Sequence, residues 1–304
     1  MKVSELSANA LKQAARDGLT LSTPPFITRI QTPIDTLQRS IAHMYGEFDV
    51  VGPDEVPDFL VRVDGTGGVR RFFRKQCMAY IDVETPFIPL PDDLSPLMLE
   101  QALNWSVAVR TGTYLVFHAA IVAKEGRALL IPGASGQGKS TLCASLVASG
   151  WQLYSDELTL LDVETGLVQA HPRPISLKNE SIQAMQEFAP DWPFSASYGG
   201  TPKGTIAYML PRRADLEAAG QLARPVAILM PAFKKGVEPY LEPMAGANAF
   251  LQLIVSSINY GSFGEEGFLF LSDLVKRVPM ATAHYGDNAA GVALAEEMMA
   301  ADEG

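Results

Sequence analysis

The run from Ala128 to Leu142, A-L-L-I-P-G-A-S-G-Q-G-K-S-T-L, constrains the fold more than any other stretch. A short apolar segment enters a glycine-rich loop that Lys139 and Ser140 close. Gly133, Ala134, Ser135, Gly136, Gln137, Gly138, Lys139 and Ser140 match the G-x-x-x-x-G-K-[ST] phosphate-binding pattern in full, with Thr141 directly after. Glycines let consecutive backbone N–H groups turn inward and approach phosphate oxygens without a Cβ in the way. A helix starting near Ser140 adds the partial positive charge of its N-terminus. Lys139 has the reach for β and γ phosphates, and the Ser140 hydroxyl suits Mg²⁺, a hard cation that prefers oxygen ligands. Such a loop needs a strand before it and a helix after it, which points to an α/β fold.

The neighbouring pattern supplies both. Leu115 to Ala123 reads as one strand, turning at Lys124-Glu125-Gly126 into a second, Ala128 to Ile131. The helix is expected from about Ser140 to Ser149, with Gly150 where a C-cap glycine belongs. A strand from Gln152 to Tyr154 then ends at Ser155-Asp156-Glu157. Further on, Pro225 to Met230 reads as a strand, Ala247 to Ser257 as a helix, and Ala289 to Met299 as an amphipathic final helix. In the first third, Phe59 to Asp64 and Arg70 to Cys77 read as a hairpin around the turn Gly65 to Gly68. A proline-marked connector (86–96) and a helix through Trp105 to Val109 follow. A boundary near residue 112 gives an N-terminal α+β domain, 1–112, and a loop-bearing domain, 113–304.

Composition narrows the partners. With 304 residues, 47% hydrophobic and 19% charged, the chain can bury a real core, and its net charge of −10 argues against a nucleic-acid binder. The basic cluster of Arg70, Arg71, Arg74 and Lys75 reads as a solvated strand or loop. Two cysteines, Cys77 and Cys143, exclude a disulfide framework and a cysteine-rich zinc site, and Cys143 reads as a small buried helix residue. The N-terminus M-K-V-S-E-L-S-A-N-A-L-K has no apolar signal core, and no apolar run nears the ~20 residues that span a bilayer. The expectation is a cytoplasmic protein with no membrane and no nucleic-acid partner.

A triphosphate site also needs carboxylates. Asp156 and Glu157 follow Lys139 by 17 and 18 residues, so one helix and one turn bring acids back beside the loop. This compact arrangement resembles HPr kinase/phosphorylase, in which two adjacent acids follow the loop at this offset. In that family the pair is Asp-Asp, whereas here it is Asp-Glu. His118 matches the family's histidine before the strand that enters the loop. The chain is more closely similar to the group called HPr kinase-related kinase A, through F-H-A-A, P-G-A-S-G-Q-G-K-S-T-L, G-W-Q-L-Y-S-D-E and R-P-I-S-L-K-N. T-P-K-G-T, S-S-I-N-Y, G-E-E-G-F, H-Y-G-D, P-F-I-P-L-P and L-N-W add to it, so the resemblance covers most of the chain. The Glu-Arg-Gly core that HPr kinase uses for phosphorolysis is absent.

The resemblance implies an α/β fold, with an HPr kinase-like P-loop nucleotide-binding domain and a smaller α+β N-terminal domain for acceptor or partner recognition. It implies an ATP-dependent, Mg²⁺-dependent kinase acting on a serine or threonine hydroxyl of a peptide or protein encoded nearby. It also implies a homo-oligomer. Asp156 is read as the base for the acceptor hydroxyl, and Glu157 as its assistant at the metal with Ser140. Adjacent carboxylates titrate as a coupled pair, so these roles are interchangeable at this level, with Asp156 equally a metal ligand. His118 either serves the site or is a core residue beside Phe117 and Ala119. Arg173, Lys178 and Lys203 are candidate cations for charge on the moving phosphoryl group. Asn259 and Asp287 read as structural. The alternatives are a small alcohol or free amino acid as acceptor, or a nucleotide-binding regulatory module with little transfer activity.

Overall fold

The computed structural model describes residues 1–52, 54–67, 75–134 and 136–300. Ser135, Gly68 and the cluster Arg70, Arg71 and Arg74 lie outside the described residues, as does most of the second hairpin strand expected over 70–77. Among the described residues the strands form three sheets, of five, nine and three strands.

The first sheet follows chain order. After helix α1 (Ala8–Asp17) come β1 (Leu19–Thr23) and β2 (Phe26–Gln31). Helix α2 (Asp35–Met44) leads to β3 (Phe59–Gly65), β4 (Gln76–Ile81) and the short β5 (Leu90–Pro91). Ser7 caps α1, its hydroxyl accepting from the Ala10 N–H at 3.2 Å. β3 alternates as a one-sided strand must, with Phe59, Val61 and Val63 inward and Leu60, Arg62 and Asp64 toward solvent. Its antiparallel partner is β4, where Cys77, Ala79 and Ile81 are buried, and whose described residues run four past the expected end at Cys77. The proline-rich connector holds β5 and runs straight into helix α3 (Ser95–Arg110), with Pro96 in the first turn, where its fixed φ fits. Helix α3 is buried nearly all round, because it packs on the first sheet through Leu97, Met98 and Leu99 and on a further cluster through Val107.

The nine-stranded sheet starts at β6 (Tyr114–Phe117), β7 (Ala119–Lys124) and β8 (Arg127–Pro132). The single strand expected over 115–123 is therefore two. β6 pairs with a strand further along, whereas β7 pairs with β8, and the chain changes neighbours at His118, whose N–H donates to the Ser256 carbonyl at 2.7 Å. Asn259 fixes this edge, accepting from the Val116 N–H and donating to the Tyr114 carbonyl, both at 2.9 Å. After the glycine loop, α4 (Lys139–Ala148) ends at Ser149 with Gly150 at φ 97°, and leads to β9 (Gln152–Ser155), β10 (Thr159–Asp162) and β11 (Val168–Gln169).

Next come β12 (Ile175–Lys178), α5 (Glu180–Phe188), β13 (Tyr198–Thr201), β14 (Gly204–Met209) and the short α6 (Arg213–Glu217). The long β15 (Leu222–Phe233) runs parallel to β8 and to β17 (Met280–Tyr285), while β16 (Tyr240–Pro243) covers the β17 edge. Helices α7 (Gly246–Ser256), α8 (Gly264–Arg277) and α9 (Asn288–Ala300) complete the chain.

Alternate residues of the central strands feed two cores. Val122, Leu129 and Leu229 pack with α4 and α9, whereas Ile121, Leu130 and Ile228 pack with α7 and α8. That two-sided burial explains why these strands read as unbroken apolar runs. The expected final helix presents Gly291, Leu294, Ala295, Met298 and Met299 inward, a helical spacing. The small sheet, ordered β12-β14-β13, lies between the two larger units: Ala207 and Met209 join the α4 core, while Ile206 and Tyr208 join the first sheet's core. Among the described residues no helix is long and apolar enough to cross a membrane.

Candidate functional site

The glycine loop leaves β8 at Pro132 and enters α4 at Lys139. Gly138 has φ 95°, a conformation that favours glycine, while a Cβ there would meet the Tyr285 hydroxyl only at an ordinary contact of 3.4 Å. Gln137 closes the loop, its Oε1 accepting from the Ala134 N–H at 2.7 Å. Lys139 is buried, and its Nζ donates to the carbonyls of Gly133 (2.7 Å) and Ala134 (3.2 Å). Burial lowers the Lys139 pKa; Asp156 and Glu157 oppose this, and Lys178 adds to it.

Directly after β9 the chain places Asp156 and Glu157. Asp156 is buried, with Oδ2 accepting from the Ser176 N–H at 2.9 Å, while its buried Oδ1 meets no hydrogen-bond partner among the described residues. Burial, then the neighbouring Glu157, push its carboxyl up to about 7, against the pull of the Ser176 N–H, the Ser140 hydroxyl and Lys178. Glu157 is half-buried and accepts from the side-chain amide of Asn104 on α3. The Asn104 carbonyl oxygen accepts from Arg173 Nη1 at 2.5 Å, and Arg173 Nη2 pairs with Glu100, also on α3. Glu100 in turn accepts from the Tyr45 hydroxyl. A buried chain Tyr45–Glu100–Arg173–Asn104 thus ends on the acid pair.

Two cavities meet at that pair. The larger, about 1050 Å³, is lined by Gly136, Gly138, Lys139, Ser140 and Thr141 together with Asp156, Glu157 and His118. The smaller, about 120 Å³, is lined by Leu97, Glu100, Gln101 and Asn104 of α3 and by His171 and Arg173. Asp156, Glu157, Ser176, Lys178 and Lys203 line both. Lys203 is exposed at the tip of the β13–β14 hairpin, where Asn179 binds its carbonyl at 3.2 Å. His118 keeps solvent contact; loss of hydration at the rim and then Lys139 hold its pKa below the imidazole range, with Glu157 opposing.

Most residues singled out in the sequence therefore converge. Gly133, Ala134 and Gln137 shape the loop without lining the large cavity, and Ser135 lies outside the described residues. Arg173 is the correction. It does not face the glycine loop but is buried against Glu100 and Asn104 on the far side of the acids, because α3 brings a carboxylate to it. Burial opposes its charge, yet Glu100 and Tyr45 hold the guanidinium above its usual range. Sequence reading gave no role to Asn104, although L-N-W was among the noted segments, nor to Ser176 within R-P-I-S-L-K. Phe233, Lys235, Tyr285 and Asn288 also line the large cavity, Phe233 and Tyr285 beside Gly138, and Asp287 caps α9 by accepting from the Ala290 N–H at 2.8 Å. Among the described residues no three His, Cys, Asp or Glu side chains gather as a metal cage. The half-buried Glu157 carboxylate and the Ser140 hydroxyl, in the same cavity, fit Mg²⁺, which binds through one or two carboxylates and completes its shell with substrate phosphates and water.

Comparison with known proteins adds two likenesses. The family model described as SynChlorMet cassette protein ScmC matches residues 90–198, about a third of the chain, from β5 through α3, the glycine loop and the acid pair. The solved structure of the Hpr(Ser) kinase/phosphatase from Coxiella burnetii is similar at 14% identity and a TM-score of 0.29, over 62% of this chain and 95% of that one. No curated protein matches the chain.

Proposed function

We propose that this chain is an ATP-dependent P-loop phosphotransferase that moves the γ-phosphoryl group to a serine or threonine hydroxyl of a peptide or protein. The observation that carries the reading is the single cavity in which Lys139, Ser140 and Thr141 face Asp156 and Glu157. Phosphoryl transfer asks little covalent chemistry of a protein; it needs phosphates held in place, developing charge neutralised and an acceptor hydroxyl aligned. The glycine loop and the N-terminus of α4 supply backbone N–H groups for the phosphates. Lys139 exchanges its two loop carbonyls for phosphate oxygens, one set of acceptors for another. Lys178 and Lys203, which line the cavity beside the acids, add positive charge where the phosphoryl group moves.

Asp156 is the base. One of its oxygens is fixed by the Ser176 N–H and the other is free of protein partners among the described residues, so it can accept the acceptor's proton. Glu157, oriented by Asn104, and the Ser140 hydroxyl would hold the metal. Bound there, Mg²⁺ would neutralise charge on the β and γ phosphates. The likeness of residues 128–157 to HPr kinase-related kinase A supports the same assignment. Asp156→Ala should slow transfer by roughly 10²- to 10⁴-fold, the scale of a lost general base, with ATP affinity little changed. Transfer from radiolabelled ATP, read beside calorimetric ATP binding, tests this; a wild-type transfer rate in the variant removes Asp156 from the chemistry.

A further inference from the structure

The large cavity is bigger than phosphate binding needs. At about 1050 Å³ it stands at the top of the ~300–1,000 Å³ range of ligand pockets, with room for a whole nucleotide. The strand order says which way such a molecule lies. β8 carries the glycine loop at its carboxyl end and runs parallel to β15, which runs parallel to β17, so all three end on one side of the sheet. β15 and β17 finish in register at Phe233 and Tyr285. Across the other edge of β8 come β7 and then β9, which leads into Asp156 and Glu157. The loop thus sits between the acids and the two aromatic residues. With the γ-phosphate turned toward the acids, the far end of the phosphate chain points to Phe233 and Tyr285. That is the region outside the carboxyl ends of parallel strands where α/β sheets bind ligands.

That wall is preorganised by its own contacts. Phe233 lines the cavity and is 50% exposed, and its Cβ lies 3.5 Å from where a Cβ on Gly138 would stand. Its ring packs T-shaped on buried Tyr285, with centroids 5.7 Å apart. The Lys234 N–H donates to the Tyr285 carbonyl at 3.0 Å, and a Cβ on Gly286 would meet the Val237 carbonyl oxygen at 2.9 Å. The turns 234–237 and 286–288 therefore lie backbone against backbone. The polar side chains of this wall, by contrast, are wet: Lys235 and Asp287 are exposed, Asn288 is half-buried, and Asp287 Oδ1 already takes the Ala290 N–H. Strong discrimination between nucleobases needs buried polar groups that a wrong edge leaves unpaired. Groups that water reaches lose little in that way.

We infer that the β15–β17 end of the cavity is a nucleoside subsite that grips the nucleobase by its face on Phe233 and reads its edge weakly, so that ATP and GTP both serve as donors. The inference rests on the phosphotransferase reading and deepens it. Every nucleobase has a π-face, and stacking on an aromatic side chain gains roughly 5- to 150-fold in affinity.

Phe233 gives the test, because its exposure lets it be replaced without opening a core. The probes are ATP, GTP and inorganic tripolyphosphate, which has the phosphates without a nucleoside, each titrated with Mg²⁺ in a calorimeter. The wild-type chain should bind ATP and GTP within about tenfold of each other. Phe233→Ala should weaken ATP and GTP by about tenfold and leave tripolyphosphate unchanged within about twofold, whereas Phe233→Trp should keep nucleotide affinity. Full ATP affinity in Phe233→Ala, or an equal loss for tripolyphosphate, overturns the stacking subsite. A wider gap between ATP and GTP in the wild-type chain overturns the weak reading of the edge. A wild-type chain that binds none of the three overturns the phosphotransferase reading together with this one. ATP binding that shows the Phe233 effect but supports no transfer to any acceptor would remove that reading and leave the subsite standing.

Discussion

The wall of the site that carries the glycine loop comes from one uninterrupted stretch, residues 128–157, whereas the opposite wall is assembled from Tyr45, Glu100, Asn104, Arg173 and Tyr208. On the loop side, a strand, a turn and a helix set every backbone direction locally. On the α3 side, each polar group is positioned by a partner dozens of residues away: Asn104 reaches Glu157 across 53 positions and Arg173 reaches Glu100 across 73. The first wall is a local motif. The second exists only once the first sheet, α3 and the β12–β14 sheet have packed together, so it ties the geometry of Glu157 to the stability of the N-terminal third.

The sharpest way to break this contrast is to remove one charge from the assembled wall. Arg173→Met leaves Glu100 buried and unpaired, and should destabilise the fold by about 3–5 kcal/mol in urea unfolding. The double variant Glu100→Leu with Arg173→Met should recover most of that loss, because two apolar groups leave no stranded charge. A single variant as stable as the parent would mean that the assembled wall is not held by this pair. A milder cut is Asn104→Leu, which frees Glu157 without touching the glycine loop. Transfer should fall by about 10- to 100-fold, as when a ligand loses its supporting hydrogen bond. The loss should appear in kcat with ATP affinity intact; an equal loss in both would make Asn104 a packing residue.

The smallest effect comes from His171, which is buried neutral with its pKa held down to about 3 by burial and Arg173. Unfolding lets the ring take a proton near its ordinary value of about 6.5. The unfolded chain then binds more protons between these limits, so stability is full above about 6.5 and falls as the pH drops, by up to about 1.4 kcal/mol per pH unit. His171→Gln should remove that slope from denaturation curves measured at pH 7, 6 and 5. An unchanged slope would assign the acid sensitivity to other groups.

The same contrast governs what could be read from the sequence. The turn from β8 into α4, the glycine after α4 and the two acids ending β9 were legible because each depends on neighbours within a few residues. The break at His118 was not, since the residues on either side are buried and apolar, and only the change of strand partner reveals it. Arg173 looked like a cation free for phosphate because R-P-R-P reads as an open loop, and nothing nearby in sequence announces Glu100. Asn104 sits in a helix whose burial on nearly every side hid its hydrogen bonds to Glu157 and Arg173. Cys143, by contrast, needed only its place in the helix after the loop to be read as buried, and both it and Cys77 are free thiols in the interior.

Strand β14 has a consequence for how the molecule comes apart. Its alternate side chains complete two different cores, Ala207 and Met209 in one, Ile206 and Tyr208 in the other. Neither core closes without it, so the two halves of the chain are expected to melt in one cooperative step. The hairpin that carries Lys203 leads into this shared strand and into Asn179 at the start of α5. Opening β14 at Ile206 to Met209 therefore costs contacts in both halves at once, whereas the exposed tip at Lys203 can open by itself.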